Sequence, residues 1–185
     1  MTSHNFLRLA GWAAFLGAVT SLFGTIAGIL WVINGFSYSW GGVIVIDTLA
    51  VVVPALMLPV ALALYLILRS QAPTLSLAAT AVGILCLLVY GTTQALLVAD
   101  VFTFEQVSVP NLAANAGIGI WLLLTNYAAL RDKVFPRGLA WAGIVTGAGF
   151  VVIVLGYLLY PIWAIWLGRW LLTKPHGELN TVRSS

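Results

Sequence analysis

The chain has 185 residues, of which 62% are hydrophobic and only 7% are charged, with a net charge of +3 and a mean hydropathy of +1.06. A soluble domain is about 45–50% apolar and about 25% charged, so this composition excludes a water-soluble protein and favours a single membrane domain over residues 1–185. The few cations lie at the ends of apolar runs, which argues against binding to nucleic acid, and the single cysteine, Cys86, excludes an intrachain disulfide.

The first predicted span covers residues 9–33 after a short polar lead. Its apolar run exceeds the core of about 7–15 residues found in a signal peptide, so we expect a retained helix. Small residues recur along it at spacings of four and three, which places them on one stripe: Ala10, Ala14, Gly17, Ser21, Gly24 and Gly28. Small side chains let helices approach closely in a membrane. We therefore predict a helix-packing face at Gly17, Ser21, Gly24 and Gly28, although such residues are also common in any span.

The second and third spans are predicted at residues 43–68 and 75–99. The second contains two prolines that should kink it, and it carries an acidic residue, Asp47, one turn inside its outer end, where the span begins. The third carries Tyr90 and Gln94 one helical turn apart, so they share a face.

The fourth span, at residues 112–130, contains Asn115 and leads into the basic segment 131–137. Cationic loops stay on the cytoplasmic side of a membrane. Basic positions at Arg8, Arg69 and this segment alternate with an uncharged turn at 34–42 and an acidic loop that holds Asp100 and Glu105. The alternation predicts that the N-terminus is cytoplasmic.

The apolar run at residues 139–172 is too long for one span of about 20 residues. We predict two short helices, at 139–156 and 157–172, that break near Gly156–Pro161. Arg169 and Lys174 would then lie in the cytoplasm with the C-terminus, which requires an even number of spans. The result is an all-α bundle of six spans with both termini cytoplasmic. Five spans with a kinked, partly interfacial tail is the alternative, because each arm of the hairpin is short.

Three segments resemble a known family: FPRGLAWAG at residues 135–143, PIW at 161–163 and WLGRWLL at 166–172. The resemblance is to bacterial six-span integral membrane proteins that are catalogued only as a domain of unknown function. It covers mainly residues 111–173, where Asn115 and Asn126 also fit the pattern. It implies a fold and a membrane location, but no reaction and no functional residues.

The missing residue types exclude several chemistries. The two lysines, Lys133 and Lys174, lie outside the predicted spans, which excludes a retinal Schiff base. The two histidines, His4 and His176, are near the termini, which argues against an intramembrane haem. No zinc-ligand constellation and no phosphate-binding loop is present. We therefore expect no cofactor, no metal and no catalytic residues.

A polar set remains near the predicted outer leaflet: Asp47, Tyr90, Gln94 and Asn115. Polar groups at membrane depth are costly and usually face protein or water. They predict a shallow outward pocket for a cation or a small polar ligand. The alternative is ordinary helix-end polarity with interhelical hydrogen bonds.

The sequence thus favours a non-enzymatic, multi-pass protein of the plasma or inner membrane. The leading interpretation is an accessory or interaction subunit whose partners are the lipid bilayer and a membrane protein or a second copy, without nucleic acid. The alternative is a small transporter or a ligand-binding sensor that uses the outward pocket. A lipid-modifying enzyme ranks third, because catalytic groups are missing.

Overall fold

The computed structural model describes residues 3–33, 42–151 and 154–173, and these form helices and short connections without any strand. The six helices are α1 Ser3–Ile33, α2 Gly42–Leu68, α3 Pro73–Val98, α4 Phe104–Arg131, α5 Arg137–Val151 and α6 Val154–Thr173. Four helical segments are long and apolar enough to cross a membrane: Asn5–Leu30, Thr48–Leu68, Pro73–Val98 and Phe104–Arg131. The all-α prediction is therefore confirmed for the described residues, and the four apolar segments are consistent with a membrane protein.

The helices form a ring in chain order. Each helix packs against its neighbours in sequence, and α1 completes the ring by packing against α6. The connections at residues 69–72, 99–103 and 132–136 are short, so the helices that they join run antiparallel.

The described cations all lie at one end of this ring. They are Arg8, Arg69, Arg131, Lys133, Arg137 and Arg169. We call this end the basic end. The opposite end carries Asp100 and Glu105 at the α3–α4 connection, and we call it the acidic end.

Helices α3 and α4 end with the same hydrogen-bonded turn. Asp100 and Lys133 adopt left-handed backbone angles, with φ of 55° and 54°. The amides of Val101 and Val134 then donate to carbonyls five residues earlier, each over 2.9 Å. This is a Schellman motif, which satisfies carbonyls at the helix end and turns the chain back. At the basic end, the Arg131 guanidinium also donates to Asp132 and lowers the pKa of that carboxyl.

The hairpin of α5 and α6 turns earlier than the sequence predicted. We expected the break near Gly156–Pro161, but α5 ends at Val151 and α6 begins at Val154, so that segment lies inside α6. A pair of glycines explains the difference. A Cβ placed on Gly149 would come within 2.8 Å of the Gly156 backbone nitrogen, so only glycine lets the two backbones meet this closely.

The proline in α6 is accommodated by a side chain from α1. Pro161 has no amide hydrogen for the carbonyl of Tyr157, four residues earlier. The Thr25 hydroxyl donates to that carbonyl over 3.4 Å. The helix therefore continues through Pro161 where the sequence predicted that it would break.

The α5–α6 hairpin is much shorter than its neighbour α4. At 1.5 Å per residue, α5 with 15 residues is about 22 Å long and α4 with 28 residues is about 42 Å long. A Cβ on Gly119 would lie 3.3 Å from the side chain of Val151, so α5 ends level with the middle of α4. Residues 104–114 of α4 extend about 16 Å further towards the acidic end. We call the region beyond the hairpin, between residues 25–33 of α1 and residues 104–114 of α4, where no described residue of α5 or α6 lies, the lateral opening.

Burial follows this difference in length. In the half of the ring near the basic end, large side chains such as Trp121, Trp163 and Leu64 are fully buried. In the described part of the acidic half, few residues are buried. Beyond Ser21, α1 has no buried residue among those described, and the first ten residues of α4 bury only Val107. The core therefore lies where all six helices are present.

Candidate functional site

A chain of three polar side chains joins α3, α4 and α6 close to the end of the hairpin. The Tyr157 hydroxyl lies 2.8 Å from Oδ1 of Asn115 and 3.2 Å from the Tyr90 hydroxyl. A phenol carries one hydrogen, so donation from Tyr157 to Asn115 leaves the Tyr157 oxygen to accept from Tyr90. Two predicted site residues, Tyr90 and Asn115, are therefore brought together by a third that was not predicted.

Neighbouring side chains hold this chain of hydroxyls at the base of the lateral opening. The Phe150 ring packs edge-on against the Tyr157 ring, with centroids 5.2 Å apart. Asn115 is buried, whereas Tyr90 and Tyr157 are half-buried. The two tyrosines retain part of their residue surface, and the buried asparagine anchors them.

Gln94 is the second predicted residue of α3, and its oxygen has no partner. It lies one turn closer to the acidic end than Tyr90 and on the same helix face. The side chain is only 9% exposed, and Oε1 has no hydrogen-bond partner. An unpaired buried acceptor costs about 1–3 kcal/mol, so such an atom in a native fold calls for an explanation.

A further polar contact joins α3 and α4 next to Gln94. The Thr93 hydroxyl contacts Oδ1 of Asn111 and also lies 2.9 Å from the carbonyl oxygen of Val89. Both polar side chains are half-buried. This contact fixes the two helices to each other on the acidic side of the tyrosines.

Asp47, the remaining predicted ligand residue, lies in α2, and its side chain is outside the described residues. Its backbone position can be compared with the others. A Cβ on Gly91 would touch Pro54 at 3.4 Å, so these two residues lie at the same height. Asp47 is seven residues from Pro54 towards the acidic end, or about 10 Å along α2. Its backbone is thus nearer the acidic end than Tyr90.

The predicted packing stripe on α1 divides into two parts. Gly17 and Ser21 are buried, and a Cβ on Gly17 would come within 2.9 Å of the Tyr160 hydroxyl. A Cβ on Gly24 would meet Leu49 at 3.8 Å, an ordinary contact, and one on Gly28 would meet no described atom within 4 Å. The tight approach therefore lies at Gly17, whereas Gly24 meets α2 at an ordinary distance and Gly28 meets no described atom.

A separate polar group near the basic end is fully satisfied. Asn126 is completely buried; its amide nitrogen donates to the Leu122 carbonyl over 2.8 Å, and its Oδ1 accepts from Trp163 Nε1 over 3.3 Å. A Cβ on Gly143 would come within 2.1 Å of the amide carbon, so glycine makes room for it. Because it is closed and satisfied, this group joins α4, α5 and α6 rather than offering a site.

The residue that the sequence analysis missed is Tyr157. It lies inside the segment interpreted as the break between two helices, so no helix face was assigned to it. The neighbouring Gly156 and Pro161 indicated a helix break and gave no sign that the Tyr157 hydroxyl makes polar contacts. The only available signal was its residue type, because a tyrosine within an apolar run usually needs a hydrogen-bond partner for its hydroxyl.

The described part of the site is polar but carries no charge. It offers two phenols and two carboxamides, and no group of three His, Cys, Asp or Glu side chains that could hold a metal ion occurs among the described residues. Phenols and carboxamides both donate and accept hydrogen bonds. The arrangement therefore suits an uncharged group that carries at least one donor for Gln94.

The chain was compared with family models, with curated protein sequences and with solved structures, and nothing matches in any of the three comparisons.

Proposed function

We propose that this chain is a non-enzymatic, ligand-binding protein of the plasma or inner membrane. It binds a neutral hydrogen-bonding group in its outer half, as a sensor or a small transporter would. The binding residues are Gln94, Tyr90, Tyr157 and Asn115. Asp47 belongs to the mouth of the same site.

The observation that carries this proposal is the unpaired Oε1 atom of Gln94. It is buried one helical turn from Tyr90, which belongs to an ordered chain of tyrosine and asparagine groups. A ligand that donates a hydrogen bond would satisfy it. Interhelical hydrogen bonding alone accounts for Asn115, but it leaves Gln94 unexplained.

The proposed threading has six membrane helices with both termini in the cytoplasm, and α5 and α6 form a short hairpin that reaches only the middle of the bundle. It is supported by the collection of all described cations at the basic end, since positive charge is retained on the cytoplasmic side. The acidic end then faces outward. The resemblance to six-span bacterial membrane proteins agrees with this threading.

The proposal is tested by identifying what co-purifies with the protein. Wild type and Gln94→Leu are purified in parallel, and their organic extracts are compared by mass spectrometry. We expect a neutral compound to be enriched with wild type and lost from Gln94→Leu.

The melting temperature in detergent supplies the matched control. Leucine has a similar volume and leaves no unpaired acceptor, so Gln94→Leu should be as stable as wild type or more stable. Loss of a compound from a stable variant supports a binding role. Extracts that do not differ between the two proteins contradict the proposal.

An accessory role is the second candidate, and the outer part of α1 favours it. Gly24 and Gly28 have no tight neighbour among the described atoms, and small residues are where transmembrane helices approach one another. A membrane protein that co-purifies in stoichiometric amount, and that Gly28→Leu releases, would support this role.

A further inference from the structure

We infer that the ligand is a membrane-dissolved neutral amphiphile, with a hydroxyl or amide N–H in its head group and an acyl tail, and that it enters sideways through the lateral opening. This inference rests on the proposed function. It adds the chemical class of the ligand and the route by which it reaches Gln94.

The first argument is the shape of the ring. The hairpin stops level with the middle of α4, so residues 104–114 have no α5 residue beside them. Apolar side chains in this part of α4 are exposed, with Val109 at 71% and Leu112 at 51%. On the other wall, Ile29 of α1 is 48% exposed. Such surfaces suit the acyl chain of a lipid better than water.

The second argument is the position of the polar groups relative to these walls. Thr25 contacts the carbonyl of Tyr157, so α1 meets α6 just below the lateral opening. Gly28 lies one turn higher on the same face and leaves open space among the described atoms. A molecule lying in the opening would have its tail between α1 and α4 and its head near Tyr157.

The third argument is charge. Gln94, Tyr90, Tyr157 and Asn115 are uncharged, and transferring an ion among them without a partner is costly. Asp47 at the mouth would repel an anion. The described cations are all at the basic end, so an anionic head group would be attracted away from the site. A head group with a hydroxyl or an amide N–H can donate to Gln94 Oε1, which has no partner. A neutral lipid with a free hydroxyl meets each of these conditions.

The experiment uses a photoreactive monoacylglycerol with a diazirine in its acyl chain. The full-length protein is reconstituted in phosphatidylcholine vesicles, and labelling is measured for wild type, Gln94→Leu, Gly28→Phe and Leu30→Phe. The Cβ of a phenylalanine at 28 would meet no described atom within 4 Å, so we expect its ring to occupy the opening. Position 30 lies on the opposite face of α1 and is already exposed, which makes Leu30→Phe the matched control.

We expect labelled peptides from residues 104–114 of α4, with labelling about five-fold lower in Gln94→Leu and in Gly28→Phe and unchanged in Leu30→Phe. Phosphatidylglycerol with the same tail should label α4 much less than the neutral probe. If Gln94→Leu loses labelling while Gly28→Phe and Leu30→Phe behave alike, the lateral route is wrong and the proposed function stands. Labelling that is equal in all four proteins overturns the inference, and the co-purification result then decides the proposed function separately.

Discussion

At the scale of single residues, three polar side chains show how this apolar chain treats buried hydrogen-bonding groups. Thr25 donates to the Tyr157 carbonyl, which has no amide partner because Pro161 lacks an N–H. Asn126 makes hydrogen bonds through both its amide nitrogen and its oxygen. Thr125 is different, because its buried hydroxyl has no partner. The hydrogen bonds of Thr25 and Asn126 link helices, and the unpaired hydroxyl of Thr125 leads to a prediction about stability.

Replacing Thr125 with valine should stabilise the protein. Valine keeps the shape of threonine and removes the unpaired hydroxyl, so the free energy of unfolding should rise by about 1 kcal/mol. The melting temperature in detergent measures the change. Thr146→Val is the control, because the Thr146 hydroxyl donates to the Ala142 carbonyl over 2.7 Å. A Thr125→Val protein less stable than wild type would mean that the hydroxyl is partnered.

Replacing Thr25 with valine should have the opposite effect. It removes the hydroxyl that donates to the Tyr157 carbonyl, and Pro161 has no N–H to take its place. We therefore expect the free energy of unfolding to fall by about 0.5–1 kcal/mol. The double variant Thr25→Val with Pro161→Ala should recover most of this loss, because alanine restores the amide within α6. Recovery would be absent if Thr25 acted only through packing.

At the scale of helices, glycine positions determine which pairs pack closely. The sequence analysis identified the stripe on α1 from its spacing, and Gly17 and Ser21 are buried there. It could not identify Gly143 or Gly149, because the need for glycine there comes from Asn126 and from the opposite arm of the hairpin. Gly143 meets a residue of another helix, and Gly149 meets Gly156 because the hairpin turns earlier than expected. Spacing along one helix carries no information about either contact.

Two alanine substitutions should separate close from open glycine positions. Gly143→Ala places a methyl group where the Asn126 amide lies, so we expect a loss of more than about 2 kcal/mol in the free energy of unfolding. Gly28→Ala meets no described atom and should leave the melting temperature unchanged or slightly raised, since alanine is the better helix former. Equal effects of the two changes would show that the helices pack in another register.

At the scale of the whole molecule, composition and charge predicted the helical class, and the predicted helices lie close to the observed ones except in the final hairpin. Two of the predicted polar residues, Tyr90 and Asn115, meet through Tyr157. These hydrogen bonds could not be predicted, because the position of Tyr157 along the bundle axis depends on where the hairpin turns. The Gly149–Gly156 contact sets that turn, and it overrides the proline that seemed to mark the break.

The proposed threading makes a prediction for reporter fusions. A reporter that is active only outside the cytoplasm should give signal when it is fused after Gly41 or Ser108, because the proposed threading puts the segment before α2 and the first turns of α4 outside. Fusions after Arg69, Lys133 and Ser185 should be silent, since positive charge keeps those positions inside. Signal from the Ser185 fusion would replace six spans with five.

The most direct test of the ligand-binding account is an experimental density map of the protein in a lipid nanodisc. We predict elongated non-protein density in the lateral opening, with one end within hydrogen-bond distance of Gln94 Oε1 and the other between α1 and α4. A map in which Gln94 bonds to another side chain and the opening is filled by the protein itself would contradict the account.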